Sequence, residues 1–201
     1  MNLFSSLPKL TFNFFLKFTR SILEDKLEVK ILKLGIMSDS HDNLLAIDKA
    51  LKVFREQDID LLIHLGDIIS PFALSKILEF PAKIIIVTGN NDGDLLQLKE
   101  LAIKGGAMLK QFMYSTVIDG RKLFLTHGFG SKEQTINYVE AIALTGSYDV
   151  ILYGHTHEAA AISKGNTLIL NPGETCGYLT NRRSVAILDI ETMGYKIVEL
   201  P

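Results

Sequence analysis

Histidine and acidic side chains recur directly after apolar runs in this chain. In residues 149–158, DVILYGHTHE, the apolar run Val150–Tyr153 predicts a buried strand, which Gly154 ends just before His155 and His157. Because side chains at i and i+2 share one face of an extended segment, the two imidazoles can converge on one point. Imidazole suits Zn, Fe, Mn and Ni alike, so the pair indicates one arm of a metal site. A bare H-x-H taken alone is more often a solvated loop.

The same kind of residue follows other predicted strands, mostly beside a glycine. The seven candidate ligands are Asp39, His41, Asp67, Asn90, His127, His155 and His157. Ligand sites in open α/β sheets lie at the carboxyl ends of the strands, so these side chains are expected to gather in one crevice. Seven N/O ligands are too many for one tetrahedral ion but suit two ions that share a carboxylate, for which Asp67 is the candidate bridge. Such a pair of ions generates a bridging hydroxide and neutralises phosphoryl charge, which predicts hydrolysis of a phosphate ester.

Strand, loop and helix alternate in the first half of the chain. The predicted elements are a strand at 29–38, a helix at 43–57, a strand at 60–65, a helix at 71–80, a strand at 82–88 and a helix at 94–104. Apolar runs bounded by helices predict parallel strands that are buried on both faces.

The second half of the chain has a different pattern. Strands at 112–118 and 122–126 flank Asp119–Gly120, which is typical of a type I′ hairpin. The remaining predicted elements are a helix at 132–144, the strand at 150–153, a hairpin of 159–163 and 167–171, and a final pair of strands at 184–190 and 195–200. This half is therefore expected to be mostly antiparallel. Both halves together predict an α/β fold with a two-sheet β-sandwich flanked by helices, in α/β/β/α order.

The composition favours one ordinary globular domain, which we place at residues 30–201. Of the 201 residues, 47% are hydrophobic and 22% are charged, enough for one sizeable core. The net charge of −2 supplies no basic field, so stable nucleic-acid binding is not expected. The single cysteine, Cys176, excludes an internal disulfide framework and fits a reducing, cytoplasmic location.

Residues 1–29 form a separate N-terminal arm in this interpretation. The stretch 3–18 carries five of the eleven phenylalanines, but Pro8 and Lys9 interrupt it, which argues against a signal peptide or a membrane span. Three alternatives stay open: an arm that covers the domain or the surface of a homo-oligomer, a start codon assigned too early, and an anchor that contacts a membrane. The polar face that a membrane anchor needs is poorly developed, so we favour the first two.

The ordered blocks D-S-H, G-D, G-N-N-D, T-H-G and G-H-T-H resemble the motifs of the calcineurin-like metallophosphoesterase family. The resemblance covers residues 30–200, and N-P-G-E-T-C-G-Y-L-T is similar to the small prokaryotic phosphodiesterase branch, to which the retromer subunit is related. It implies a β-sandwich with helices on both outer sides. It also implies two divalent ions, Mn²⁺ first and Ni²⁺, Zn²⁺ or Fe as alternatives. By this resemblance Asp39, His41 and His157 hold the first ion, Asn90, His127 and His155 hold the second, and Asp67 lies between them.

The residue after the liganding asparagine departs from the family pattern. Many members have a histidine there, which donates a hydrogen bond or a proton near the leaving oxygen, whereas this chain has Asn91. An amide can donate to a phosphate oxygen but is not a general acid near pH 7. Asn91 and Asp67 are therefore the candidate catalytic residues, with a bias towards phosphodiesters over phosphomonoesters. Asp92 either orients Asn91 or closes the turn, and we favour the turn.

Other polar residues have a functional and a purely structural interpretation. We favour a satisfied core histidine for His64 over a support for the metal ligands, and solvated flanking residues for Arg182–Arg183 over phosphate binding. Asp42 is expected either to accept from a ligand imidazole or to cap a helix. Residues 171–173 either border the crevice or form a plain turn. A nucleophilic Cys176 is disfavoured because a metal hydroxide is available.

Two main functions compete. The leading hypothesis is a dinuclear-metal-dependent phosphodiesterase that hydrolyses a small or nucleotide-like phosphodiester. The rival is a non-catalytic scaffold for protein–protein interaction, as the retromer relative is. The complete set of seven candidate ligands favours the enzyme. A nuclease would need a basic groove, and a protein phosphatase would need extra length for a peptide groove.

Overall fold

The computed structural model of the chain describes residues 32–201. The proposed arm at residues 1–29, with its membrane and oligomer alternatives, lies outside the described residues. Among the helices of the described part, none is both long enough and apolar enough to cross a membrane.

The described chain begins with alternating strands and helices and ends with strands alone. The helices are α1 (Leu44–Glu56), α2 (Pro71–Ile77), α3 (Leu95–Lys104) and α4 (Lys132–Ala143). The strands are β1 (Lys33–Met37), β2 (Leu61–His64), β3 (Lys83–Val87), β4 (Met108–Lys110), β5 (Met113–Ile118), β6 (Arg121–Thr126), β7 (Val150–Tyr153), β8 (Ala160–Lys164), β9 (Thr167–Asn171), β10 (Ser184–Asp189) and β11 (Tyr195–Glu199). The four predicted helices are confirmed. The short strand β4 was not predicted.

The strands form two mixed sheets. The first has the order β11-β10-β1-β2-β3-β4 and the second has the order β5-β6-β7-β9-β8. In the first sheet β1 to β4 are parallel, as predicted for the first three, and β10 pairs antiparallel with β1. The predicted hairpin at Asp119–Gly120 is confirmed, with φ angles of 48° and 75° that fit a type I′ turn.

The second half of the described chain is mostly antiparallel, as predicted, because four of its six strand pairings are antiparallel. Its strand β7 is the exception. In the second sheet β7 pairs parallel with both β6 and β9, and only the two outer strands are antiparallel to their neighbours. The reason is the helix α4 between β6 and β7, because a crossover helix returns the chain to the same end of the sheet and makes the two strands parallel. The hairpin β8–β9 then places its second strand, not its first, beside β7.

Three buried clusters hold the layers together. The first lies between the helices α1 to α3 and the first sheet and includes Phe54 and Leu74. The second lies between the two sheets and includes Ile36 of β1 and Leu152 of β7. The third packs Val139 of α4 on the second sheet. Each fully buried aliphatic side chain contributes about 1.5–3 kcal/mol, so the clusters fix a four-layer α/β/β/α sandwich, as predicted.

Candidate metal centre

All seven predicted ligands lie in loops that follow strands. In chain order they are Asp39 and His41 after β1, Asp67 after β2, Asn90 after β3, His127 after β6, and His155 and His157 after β7. Five of the seven have positive φ angles, between 40° and 67°. A non-glycine residue in this region costs about 1–3 kcal/mol and persists only where its surroundings hold it, a form of strain that concentrates at functional sites.

Four of the predicted ligands form a first group. The Nε2 atom of His157 lies 3.4 Å from Oδ1 of Asp39, and Nε2 of His41 lies 3.4 Å from Oδ2 of Asp67. Oδ1 of Asp39 and Nε2 of His41 are 3.9 Å apart, and both atoms are buried without a hydrogen-bond partner. Burial raises the pKa of Asp39, although the neighbouring histidines oppose this. Buried polar atoms of this kind are normally satisfied, so the first group fits a bound cation.

The second group centres on His127, which is fully buried. Its Nδ1 atom lies 2.7 Å from the carbonyl oxygen of Leu65, so Nδ1 carries the hydrogen and Nε2 presents a lone pair. That lone pair faces Oδ1 of Asn90 at 3.1 Å and Oδ2 of Asp67 at 3.4 Å, and both of these atoms are acceptors as well. The three atoms repel one another unless a proton or a metal ion lies between them.

His155 completes this second group. Its Nε2 atom lies 2.8 Å from the carbonyl oxygen of Gly130, so Nε2 carries the hydrogen. The bare Nδ1 atom lies 3.3 Å from Nε2 of His127. With this assignment two imidazole lone pairs, an amide oxygen and a carboxylate oxygen converge, which is a donor set for a divalent cation.

Asp67 belongs to both groups. Its Oδ2 atom lies 3.4 Å from Nε2 of His41 and 3.4 Å from Nε2 of His127. Burial opposes ionisation, but the neighbouring His127 ring and the hydrogen bonds from the backbone and side chain of Asn91 hold the pKa of Asp67 well below its usual range. The carboxyl group is therefore ionised near neutral pH, as a shared ligand must be.

Asn91 is committed to Asp67. Its backbone N–H donates to Oδ1 of Asp67 and its Nδ2 donates to Oδ2, each at 2.8 Å. The side-chain amide has two N–H groups, so one remains for a substrate oxygen. The tight approach also depends on Gly89, because a Cβ atom there would lie 2.2 Å from Oδ1 of Asp67.

Glu174 is a residue that the sequence interpretation missed. This fully buried carboxylate accepts a hydrogen bond of 2.8 Å from Nδ1 of His157, which leaves Nε2 of that histidine free to bind a metal. It also accepts from the backbone N–H groups of Leu179 and Thr180 and from the Thr180 hydroxyl. Burial raises the pKa of Glu174, but the bonds from Thr180, His157 and Leu179 outweigh burial and lower it to about 2. The only sequence signal was a charged residue in the polar stretch after β9.

His64 is a satisfied core histidine, as favoured from the sequence, and it also joins two ligand loops. The backbone N–H of Gly66 donates to Nδ1 of His64, so the Nε2–H donates to the hydroxyl of Ser40 at 3.0 Å. Burial, together with the positive field of His127, lowers the pKa of His64 to about 3, so the ring is neutral. It connects the loop that carries Asp39 and His41 to the loop that carries Asp67.

Asp92 closes the turn, as favoured from the sequence, and its carboxylate also accepts hydrogen bonds from a neighbouring loop. Its Oδ2 atom accepts from the N–H of Gly89, which closes the turn after β3. Its Oδ1 atom accepts from the N–H groups of Ile68 and Ile69, next to Asp67. One carboxylate thus ties the Asp67 loop to the Asn90 loop.

Asp42 has neither of its two expected roles. Its Oδ1 atom accepts a hydrogen bond from the hydroxyl of Ser70, and the cap of α1 is Asn43, whose side chain accepts from the N–H of Ala46. The α1 helix therefore begins at Leu44, directly after its cap and three positions beyond His41.

Asn171 stabilises the H-x-H loop. The sequence predicts that residues 171–173 either border the crevice or form a plain turn, and this third role is not among those alternatives. Its Nδ2 donates to the carbonyl oxygen of Gly154 at 3.1 Å and to the hydroxyl of Thr156 at 3.0 Å. Cys176 is buried, and burial raises the pKa of its thiol to about 12, so it is no nucleophile near pH 7. Arg182 is exposed and pairs with Glu199 at 3.4 Å, as the solvated interpretation expects.

A two-sheet sandwich with outer helices, carrying carboxylates and imidazoles at the ends of its strands, defines a metallophosphoesterase fold. A family model for the calcineurin-like phosphoesterase superfamily domain matches residues 32–193, and the chain belongs to this superfamily. It is a phosphoesterase.

Characterised relatives support the same assignment. The chain is 40% identical over 171 residues to Phosphodiesterase MJ0936 of Methanocaldococcus jannaschii, an alignment that covers 84% of this chain and 99% of that relative. It is 30% identical over 158 residues to Phosphodiesterase YfcE of Escherichia coli, and this alignment covers 71% of this chain and 79% of that relative.

Solved structures share the fold. Superposition on the solved structure of an archaeal phosphodiesterase gives a TM-score of 0.78 at 38% sequence identity. The match covers 84% of this chain and 100% of that one. Vps29 of Chaetomium thermophilum gives a TM-score of 0.59 at 14% identity, with 84% and 92% covered, and this likeness shows the fold alone.

Proposed function

We propose that this chain is a phosphodiesterase that uses two divalent cations to hydrolyse a small or nucleotide-like phosphodiester. One observation carries the proposal. In each of two adjoining groups of side chains, atoms with lone pairs face one another, and the same Asp67 oxygen lies 3.4 Å from an imidazole nitrogen of each group. The catalytic domain is proposed to span residues 30–201, with residues 1–29 as an arm.

The donor sets suit two hard or borderline divalent ions. In the proposal Asp39, His41 and His157 hold the first ion. Asn90, His127 and His155 hold the second, and Asp67 is shared. Mixed imidazole, carboxylate and amide ligands fit Mn²⁺ first, with Ni²⁺, Zn²⁺ or Fe as alternatives. When bound, such ions supply a hydroxide nucleophile near neutral pH and neutralise charge on the phosphoryl oxygens.

The side chains of the protein contribute position and charge. Hydrogen bonds to Leu65, Gly130 and Glu174 fix the ring orientations of the three histidines His127, His155 and His157. Asp67 stays ionised and is held by Asn91. The remaining N–H of Asn91 is the proposed donor to a phosphate oxygen. Because an amide cannot protonate a leaving group, the site favours diesters and good leaving groups.

Two relatives named as phosphodiesterases support the choice of a diester, since one of them is 40% identical over nearly its whole length. The rival proposal is a scaffold for protein–protein interaction. Vps29 shares only the fold with this chain. The complete donor set supports the enzyme over the scaffold, because a scaffold has no need for strained ligand loops and unpaired buried polar atoms.

The test measures hydrolysis of bis(p-nitrophenyl) phosphate by protein that has been stripped of metal and then given Mn²⁺, Ni²⁺ or Zn²⁺. We expect turnover with at least one ion. The Asp67→Asn variant should lose more than about 100-fold in kcat/KM, since changes outside the ligand sphere already cost 10–100-fold. Asp48→Asn is the matched control, because this half-exposed aspartate of α1 pairs only with Lys76 among the ion pairs described. Absence of turnover with every ion would favour the scaffold.

A further inference from the structure

Four large apolar side chains are exposed beside the first group of ligands. They are Leu44, Leu45, Tyr178 and Leu179, with exposed fractions between 43% and 76%. We name these four residues the apolar lip. Large side chains of this kind gain from burial, and neighbouring exposed apolar residues mark binding surfaces.

The apolar lip is attached to the metal centre from both sides. Leu44 and Leu45 begin α1, three and four residues after His41. The backbone N–H groups of Tyr178 and Leu179 donate to Glu174, the carboxylate that holds His157. The apolar lip therefore belongs to the chain segments that hold the first ligand group.

The two halves of the apolar lip are also joined to each other. The side-chain amide of Asn43 donates to the carbonyl oxygen of Cys176 at 2.9 Å. The start of α1 and the loop at residues 177–179 are thus neighbours, and the apolar lip combines exposed side chains from both.

Two arginines follow the apolar lip in the chain. Arg182 pairs with Glu199, and Nε of Arg183 donates to the carbonyl oxygen of Cys176 at 3.3 Å. The charge of Arg182 is thus balanced by a carboxylate, and the apolar lip itself offers a substrate apolar contact.

A groove of about 580 Å³ adjoins the metal centre, with His157 in its wall. Glu158 and Glu199 line it, against one arginine, Arg182. Two carboxylates and one paired guanidinium disfavour a second phosphate or another anionic group in this groove.

We infer that the substrate is a phosphodiester with a single phosphate and an apolar ester group, which packs on the apolar lip. This inference rests on the proposed function. The inferred substrate is therefore an alkyl or aryl phosphodiester, and not a nucleotide with further phosphates or a nucleic acid. The phosphate is held at the metal centre, and contact with Leu45 and Leu179 distinguishes one ester group from another.

The size of the effect follows from burial. A methylene group that is fully removed from water changes an equilibrium about fourfold, so partial cover by an open surface gives about twofold for each methylene. The exposed position of the apolar lip makes partial cover the expectation. Between a methyl and a hexyl ester, five added methylenes then raise kcat/KM by about 30-fold.

The experiment uses Mn²⁺-loaded protein and a series of alkyl p-nitrophenyl phosphates with methyl, butyl and hexyl groups. The leaving group is the same throughout, so the ratio of kcat/KM for the hexyl and methyl esters reports contact with the alkyl chain alone. We expect a ratio near 30, a lower ratio in Leu45→Ser and in Leu179→Ser, and a ratio close to 1 when both substitutions are combined. Leu144→Ser is the matched control: it is equally exposed but lies just after the last residue of α4.

A binding measurement separates this inference from the proposed function. Calorimetry with the Mn²⁺-loaded protein compares dihexyl phosphate with dimethyl phosphate, and needs no turnover. Tighter binding of dihexyl phosphate that Leu179→Ser abolishes supports the inference even if no ester is hydrolysed. In the unaltered protein, a kcat/KM ratio near 1 for the hexyl and methyl esters overturns the inference. So does concentration-dependent self-association that Leu179→Ser abolishes, because the apolar lip would then be an interface between two copies of the chain.

Discussion

Replacing Glu174 by glutamine removes one negative charge from beside His157 and keeps the size of the side chain. The carboxylate accepts from Nδ1 of His157 and from several backbone and hydroxyl donors, most of them in residues 178–180. A glutamine has an NH₂ group in place of one oxygen, so at least one of these donors would face another donor. The hydrogen of His157 is then no longer held on Nδ1, and its Nε2 becomes a poorer ligand.

The magnitude follows from the charge and the burial of the group. Loss of such a carboxylate partner typically weakens metal affinity or activity 10–100-fold, which corresponds to about 1.4–2.8 kcal/mol. The buried polar group that loses its charge-assisted hydrogen bonds should also destabilise the fold by about 1–3 kcal/mol. For a domain of this length, that lowers Tm by several degrees.

The assay is a calorimetric titration of metal-free protein with Mn²⁺, together with kcat/KM against Mn²⁺ concentration. We expect Glu174→Gln to weaken one class of Mn²⁺ site and to regain much of its activity at high Mn²⁺. A purely structural role for Glu174 would lower Tm but leave Mn²⁺ affinity unchanged, and that result would refute the reasoning. Glu140→Gln is the control, because Glu140 is a partly buried glutamate whose ion-pair partner is Lys164 on the edge strand β8.

Two further predictions concern protonation and leaving groups. Burial lowers the pKa of His127, but Asp67 and Asp39 outweigh this and raise it, so protons compete with metal at this ring up to a higher pH than at an ordinary histidine. Apparent Mn²⁺ affinity, measured by calorimetry between pH 6 and 8, should therefore rise with pH and level off above the pKa of His127; a flat profile would contradict this. Asn91→His should raise the ratio of p-nitrophenyl phosphate to bis(p-nitrophenyl) phosphate hydrolysis by about tenfold or more, and an unchanged ratio would show that the missing acid is not the limitation.

The positions of the seven candidate ligands could be predicted because they depend on local signals. An apolar run followed by a glycine or a polar turn marks the end of a strand, and parallel strands bring such ends to one edge. The hairpin at Asp119–Gly120 and the helix cap at Asn43 are local in the same way. Local signals therefore sufficed for the four helices, for the strands other than β4, and for the expectation that the candidate ligands gather at one edge.

The contacts that sequence reasoning missed are those between distant segments. Glu174 lies 17 residues after His157, in a stretch without regular periodicity, and nothing local indicates that its carboxylate is buried. The parallel pairing of β7 depends on the crossover helix α4, whereas the hairpin signals on either side of β7 indicate antiparallel strands. Asp42 was misassigned because its partner, Ser70, belongs to another loop.

Asp67 presents a single oxygen to two sets of imidazoles, so the two sets are thermodynamically linked in the proposed two-cation centre. A cation at one set changes the affinity of the other set for its own cation, and linkage requires the two effects to be equal. Neither half of the proposed centre can then be tuned alone, because a substitution that changes the affinity of one half also changes how fully the other half is occupied.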